Sequence, residues 1–225
     1  MMVLDQLVRR HEETARGDDG KKLDRPTPEG LAKAYGKGIA LREQYSEQEI
    51  RGFHSEKQRT YQCCAAWLLG AGVPLEGNIE ANPNLNMMRV SPEELEAMRN
   101  APTKEEDYRM IFDDYTEQIT AAAHNLIEHI DQGVLGGFAF NEKGLWIPCV
   151  ELNLTHGPVM DAAFAILTGN KVSYETVMQT SGIFDEGEGF DVKLRKENGI
   201  YFVDLETKER ARTYRMQEFL ELAEA

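Results

Sequence analysis

Residues 103–133, TKEEDYRMIFDDYTEQITAAAHNLIEHIDQG, carry apolar side chains at Tyr108, Ile111, Phe112, Tyr115, Ile119, Ala122, Ala123, Leu126 and Ile130. Recurrence at three and four residues is the mark of a helix with one buried stripe. Thr103 suits the N-cap, the acidic first turn complements the positive end of the helix dipole, and Gly133 is a natural stop. At 1.5 Å per residue such a helix spans roughly 40 Å. The other elements are expected to pack around it.

Upstream, the pattern reads as helical throughout. Residues 1–16 fit a short amphipathic helix with Val3, Leu4, Leu7 and Val8 on one side. The polar, turn-rich GDDGKKLDRP makes 1–26 an arm, expected to lie against the body or another chain. A helix opens at Thr27-Pro28. Another runs from a Ser46/Glu49 capping box to Leu69, with Cys63 and Cys64 as small core residues. Segment 73–90 lacks periodicity, and Leu85, Met87 and Met88 are its candidates for insertion into a groove.

Beyond Gly133 the period becomes two. VLGGFAF-NEKG-LWIPCVELNL reads as a hairpin, followed by a helix from Gly157-Pro158. FDVKLRKE-NG-IYFVDLE is the plainest local signal, because Asn198-Gly199 is a favoured two-residue turn. Pairing Glu197 with Ile200 sets Leu194 opposite Val203, Val192 opposite Leu205 and Lys193 across from Asp204. A helix over 209–225 closes the chain. The expected fold class is α+β: a helical N-terminal half with one long central helix, followed by an antiparallel sheet of about four strands built from two hairpins, each followed by a helix. The expected organisation is an arm over 1–26, a helical region over 27–132 and a hairpin-helix region over 133–225.

No run approaches the ~18 apolar residues of a membrane span, and MMVLDQLVRRHEE lacks an apolar signal core. A soluble, cytoplasmic protein with no membrane partner is expected. Cys63, Cys64 and Cys149 agree, since two are adjacent and the total is odd. The net charge of −14 is −2 over residues 1–100 and −12 over 101–225. The acidic second half repels polyanions, so direct nucleic-acid binding is not expected. A basic protein partner fits it, in a homo- or hetero-oligomer.

Two constellations could carry chemistry. Asp113, Glu117, His124, Glu128 and Asp131 form a polar ridge opposite the apolar stripe. His124 and Glu128, one turn apart, are candidate ligands for a divalent metal, with Glu117 two turns back. The competing reading is a solvated helix face. His129 borders the stripe and reads as packed and hydrogen-bonded. Cys149, Glu151 and His156 precede the helix at 158, where a thiolate near a histidine could be a nucleophile. There is no P-loop, dinucleotide fingerprint, CxxC pair or GxSxG elbow, and no stretch resembles a known family.

The features point first to a non-catalytic, protein-binding subunit or regulator without a cofactor. It would act in a larger assembly through its N-terminal arm, the 73–90 segment and its acidic C-terminal half. The alternative is a metal-dependent hydrolase or lyase using His124 and Glu128. A weaker third is an acidic nucleic-acid mimic that inhibits a DNA- or RNA-binding protein. The balance leans away from an enzyme.

Overall fold

In the computed structural model, which describes residues 1–18, 20, 22–91, 93–94, 98, 103–145, 148–180 and 182–224, the N-terminal segment is not a helix. It is strand β1 (Met2–Arg10), followed by a two-stranded ribbon of β2 (Thr14–Arg16) and β3 (Lys22–Pro26). Then come α1 (Pro28–Gln44), β4 (Glu49–His54), α2 (Gln58–Gly70) and β5 (Ile79–Ala81). After a 3₁₀ turn at Pro83–Leu85 follow α3 (Lys104–Asp114), α4 (Thr116–Glu142), β6 (Cys149–Thr155), α5 (Gly157–Leu167) and α6 (Tyr174–Thr180). The chain ends in β7 (Gly189–Glu197), β8 (Ile200–Glu206), β9 (Ala211–Arg215) and α7 (Met216–Glu224).

One seven-stranded sheet, in the order β5-β4-β6-β1-β7-β8-β9, draws on the whole chain. Strands β5, β4, β6 and β1 run parallel, and β7, β8 and β9 extend the sheet antiparallel beyond β1. Helices α1 and α2 cover one face over Leu7, Ile50, Val150, Leu152 and Leu154. Helices α4 and α5 cover the other over Leu4, Val8, Val192 and Leu194. This is a layered α/β fold, so the expected helical half plus four-stranded antiparallel sheet is corrected. Among the described residues no helix is long and apolar enough to cross a membrane.

Each correction has a local cause. Val3, Leu4, Leu7 and Val8 satisfy a helical stripe, but β1 is buried on both faces, and a strand covered twice loses its alternation. In β4, Ile50, Gly52 and His54 are buried between less buried neighbours, a period of two that the Ser46/Glu49 box masked. Gly52 also lets α2 close on the sheet, since a Cβ there would fall 2.5 Å from Cys64 Sγ. The long helix breaks at Tyr115 and then runs straight through Gly133. A Cβ at Gly133 would overlap Gln6 Nε2, and one at Gly137 would lie 3.3 Å from Leu194. Both glycines are contact points between helix and sheet, so VLGGFAF is helix and the first expected hairpin does not form. Trp146 and Ile147 lie outside the described residues, and β6 pairs in parallel with β1 and β4. Residues 211–215 are an edge strand before the last helix begins.

The Asn198-Gly199 hairpin has the expected register. Lys193 faces Asp204 but grips the carboxylate diagonally beyond it, Glu206 at 2.5 Å, while Arg195 holds Asp204 at 2.6 Å. The Thr27 cap on α1 also forms, its Oγ1 accepting from Gly30 N at 2.9 Å.

Candidate active site

Three parallel strands deliver a histidine at their carboxyl ends: β1 leads into His11, β4 ends on His54 and β6 leads into His156. Open sheets bind ligands in the crevice outside those ends. Here it is a cavity of about 960 Å³. Its described lining carries six lysines and arginines against five carboxylates, reversing the balance of a chain with 25 basic and 39 acidic residues.

His11 Nδ1 lies 2.7 Å from the backbone oxygen of Glu12. A carbonyl only accepts, so Nδ1 carries the proton and Nε2 keeps its lone pair. Arg59, in the first turn of α2, donates from Nε to that Nε2 at 3.2 Å and from Nη2 to His156 Nδ1 at 3.4 Å. His156 Nε2–H then donates to Ser55 Oγ at 3.0 Å, Ser55 to Thr60 Oγ1 at 2.8 Å, and Thr60 to the Lys57 carbonyl at 2.7 Å. The two imidazoles meet edge to face with centroids 5.4 Å apart. Burial, reinforced by Arg59, pushes His11 down to about 3. Burial, His11 and Arg59 hold His156 well below its ordinary range. Both rings stay neutral near pH 7.

Arg10 donates from Nη1 to the Phe184 carbonyl at 2.8 Å and to Tyr108 Oη at 3.2 Å, and Nη2 lies 3.4 Å from Glu186. Its Nε is buried with no hydrogen-bond partner among the described residues. A buried donor without a partner is costly. Gly157 is required beside it, because a Cβ there would overlap the Tyr108 hydroxyl and fall 3.0 Å from Arg10 Nη1. Helix α5 therefore starts at the cavity wall, with no side chain capping its N-terminus. Such a terminus favours negative charge. An unprotonated imidazole nitrogen among guanidinium groups and a helix N-terminus suits an anionic electrophile.

No protein-family model matches this sequence, and no curated protein resembles it in sequence. Solved structures do share its shape. A mycobacterial structure described as hydrolase 2 matches with a TM-score of 0.57 at 13% identity, over 99% of this chain and 99% of that one. A mycobacterial glucosyl-3-phosphoglycerate phosphatase matches at 0.56 and 14% identity, over 94% and 96%. Phosphoglycerate mutase from Bacillus anthracis str. Sterne matches at 0.54 and 14% identity, over 99% and 97%. The likeness is one of fold. It nonetheless corrects the expectation of a non-catalytic subunit or regulator, since these neighbours are enzymes and the cavity converges reactive groups. The hydrolase alternative is the nearer of the earlier readings.

The residues singled out from sequence are dispersed. His124 is half-buried and Glu117 and Glu128 are exposed on α4, and none lines the cavity. Among the described residues no three His, Cys, Asp or Glu side chains are placed to hold a metal ion. Cys149 opens β6 and His156 follows its end, roughly 23 Å apart at ~3.3 Å per residue. The Cys149 thiol is pushed up to about 12 by burial and Glu151. Leu85 and Met88 are buried in the protein's own core, and Met87 and Met88 face the cavity. His129 is buried and bonded to Asn82 at 2.9 Å and Asn153 at 2.7 Å. Sequence reasoning missed Arg10, His11 and Arg59. The signal available was a histidine four residues after a leucine or isoleucine, three times over, at LVRRH, IRGFH and LNLTH.

Proposed function

We propose that the protein hydrolyses phosphate monoesters by way of a phosphorylated His11. Arg59 gives up its hydrogen bond to Nε2 in favour of the phosphoryl oxygens, the freed Nε2 lone pair attacks phosphorus, the P–O ester bond breaks, and the leaving oxygen takes a proton and departs as an alcohol. Water then attacks the phosphorus on His11, releasing inorganic phosphate and restoring the imidazole. Arg10 and Arg59 neutralise the phosphoryl oxygens, with α5 N-terminal amides beyond them. His156 holds Arg59 through its Nδ1. Asp107 lines the cavity, and its carboxyl is raised by burial against the pull of Lys22 and Arg10. We assign it the proton for the leaving oxygen. The observation that carries this reading is the neutral His11 in the cavity wall, its Nε2 unprotonated between Arg59 and the helix N-terminus at Gly157. The names of the structural neighbours, a phosphatase and a mutase, support phosphoryl chemistry. A cytoplasmic setting belongs to the same reading, supported by three free cysteines.

The purified protein should hydrolyse 4-nitrophenyl phosphate, with inorganic phosphate as a competitive inhibitor. A folded preparation that turns over neither this ester nor any member of an alkyl, sugar and aryl phosphate panel would defeat the proposal.

A further inference from the structure

Glu12 follows the proposed nucleophile, yet its side chain turns away from the cavity. The carboxylate is 2% exposed and is held by Lys37 of α1, Nζ to Oε1 at 2.5 Å. Lys37 also lies 5.8 Å over the ring of Trp67 on α2. One third of the lysine side chain is open to water, while the Glu12 side chain is almost wholly enclosed. The backbone oxygen of this same Glu12 accepts the His11 Nδ1 proton. Gly187 makes room for the pair: a Cβ there would overlap both Lys37 Nζ and Glu12 Oε1. Its amide donates to the Arg10 carbonyl at 3.0 Å, so one loop brackets both Arg10 and the ion pair.

We infer that Lys37 is a positioning residue: by neutralising the buried Glu12 carboxylate it keeps the Glu12 peptide carbonyl on His11 Nδ1, and thereby His11 in the tautomer whose Nε2 is free of a proton. This rests on the reading of His11 as nucleophile. Neither side chain lines the cavity. A buried carboxylate deprived of its counter-ion is strongly disfavoured and turns toward water, and its peptide turns with it. Glu12→Gln removes that drive while keeping the carbonyl, so Lys37 becomes dispensable in its presence.

The test uses the full chain as Lys37→Met, Glu12→Gln and the double variant. It has two readouts, steady-state hydrolysis of 4-nitrophenyl phosphate and ¹⁵N NMR of the His11 ring in the resting protein. Lys37→Met is expected to lower kcat roughly tenfold to a hundredfold, the scale of a small misplacement of a reacting group. KM should stay within about twofold, and the His11 signals should show mixed tautomers. Glu12→Gln and the double variant should keep the Nδ1–H form and kcat near wild type. A folded Lys37→Met protein with unchanged kcat and tautomer overturns the inference, as does a double variant no better than Lys37→Met. Where Lys37→Met fails to fold, the last two variants decide: near-equal kcat supports the inference and a difference of about tenfold overturns it. Activity surviving in His11→Asn would sink the phosphoryl-transfer reading separately, because the tautomer readout needs no turnover.

Discussion

Two sets of buried polar side chains lie along the same strands and differ in what they can reach. At the carboxyl ends of β1 and β6, Arg10, His11 and His156 border the cavity. Halfway back, Asp5 and Gln6 are enclosed within the sheet and Glu151 is half-buried beside them. Asp5 accepts a hydrogen bond from Tyr45 at the C-cap of α1, Gln6 donates to the Ile130 carbonyl of α4 at 2.8 Å, and Glu151 is its neighbour in the β1–β6 register. Burial favours the neutral form in both places. It lowers the two imidazoles, and it raises the Asp5 and Glu151 carboxyls to about 7, with Asp191 adding to the rise at Asp5. The shift alone therefore marks nothing; a perturbed group becomes a functional candidate where a cavity meets it.

Substitutions in the two sets should separate cleanly. His11→Asn is expected to reduce phosphate-ester hydrolysis by about 10³-fold or more, whereas Asp5→Asn should leave kcat/KM within about twofold. Comparable losses in both variants would erase the distinction. Arg59→Ala should cost about 10² to 10³ in kcat, the range for one electrostatic donor. It should also abolish the rise in melting temperature that inorganic phosphate gives the wild type.

The pH dependence of stability sharpens the contrast because the signs oppose. Unfolded His11 takes a proton below about 6.5 and the folded form only near 3, so its contribution is lost as pH falls from 6.5 toward 3. Folded Asp5 keeps its proton to about 7 while the unfolded chain releases it near 3.8, so its contribution is lost as pH rises through that window. Between pH 5 and 7 each amounts to about 2 kcal/mol. In urea titrations, Asp5→Asn should gain on the wild type as pH rises and His11→Asn should gain as it falls. Slopes of one sign would contradict the burial assigned to one of them. Asn198→Ala, at a hairpin residue with φ of 50°, should lower stability by about 1 kcal/mol and leave activity and both pH slopes alone.

That hairpin and the cap of α1 were legible because their chemistry is local: Asn-Gly needs positive φ, and Thr-Pro starts a helix wherever it falls. The centre of the fold was not. Val3, Leu4, Leu7 and Val8 fit a helix stripe and a doubly covered strand equally well, and only neighbours distant in sequence decide between them. A helix over 1–16 gives Arg10 and His11 no common direction, whereas the strand carries both to its carboxyl end. Gly133 read as a stop because its true role, the approach of α4 to Gln6, lies 127 positions away in the chain. His156 was noticed, but beside Cys149, a pairing that an extended strand between them separates. Its actual companions, His11 and Arg59, come from the end of β1 and from α2.

Trapping the covalent intermediate asks whether His11 is the reacting group. The protein would be mixed with excess 4-nitrophenyl phosphate, quenched rapidly in alkali, where phosphohistidine persists, and mapped by mass spectrometry. A phosphoryl group on His11, absent from His11→Asn, is the expected result. No phosphoryl group during turnover, or one carried by His156 or Cys149 instead, would contradict it.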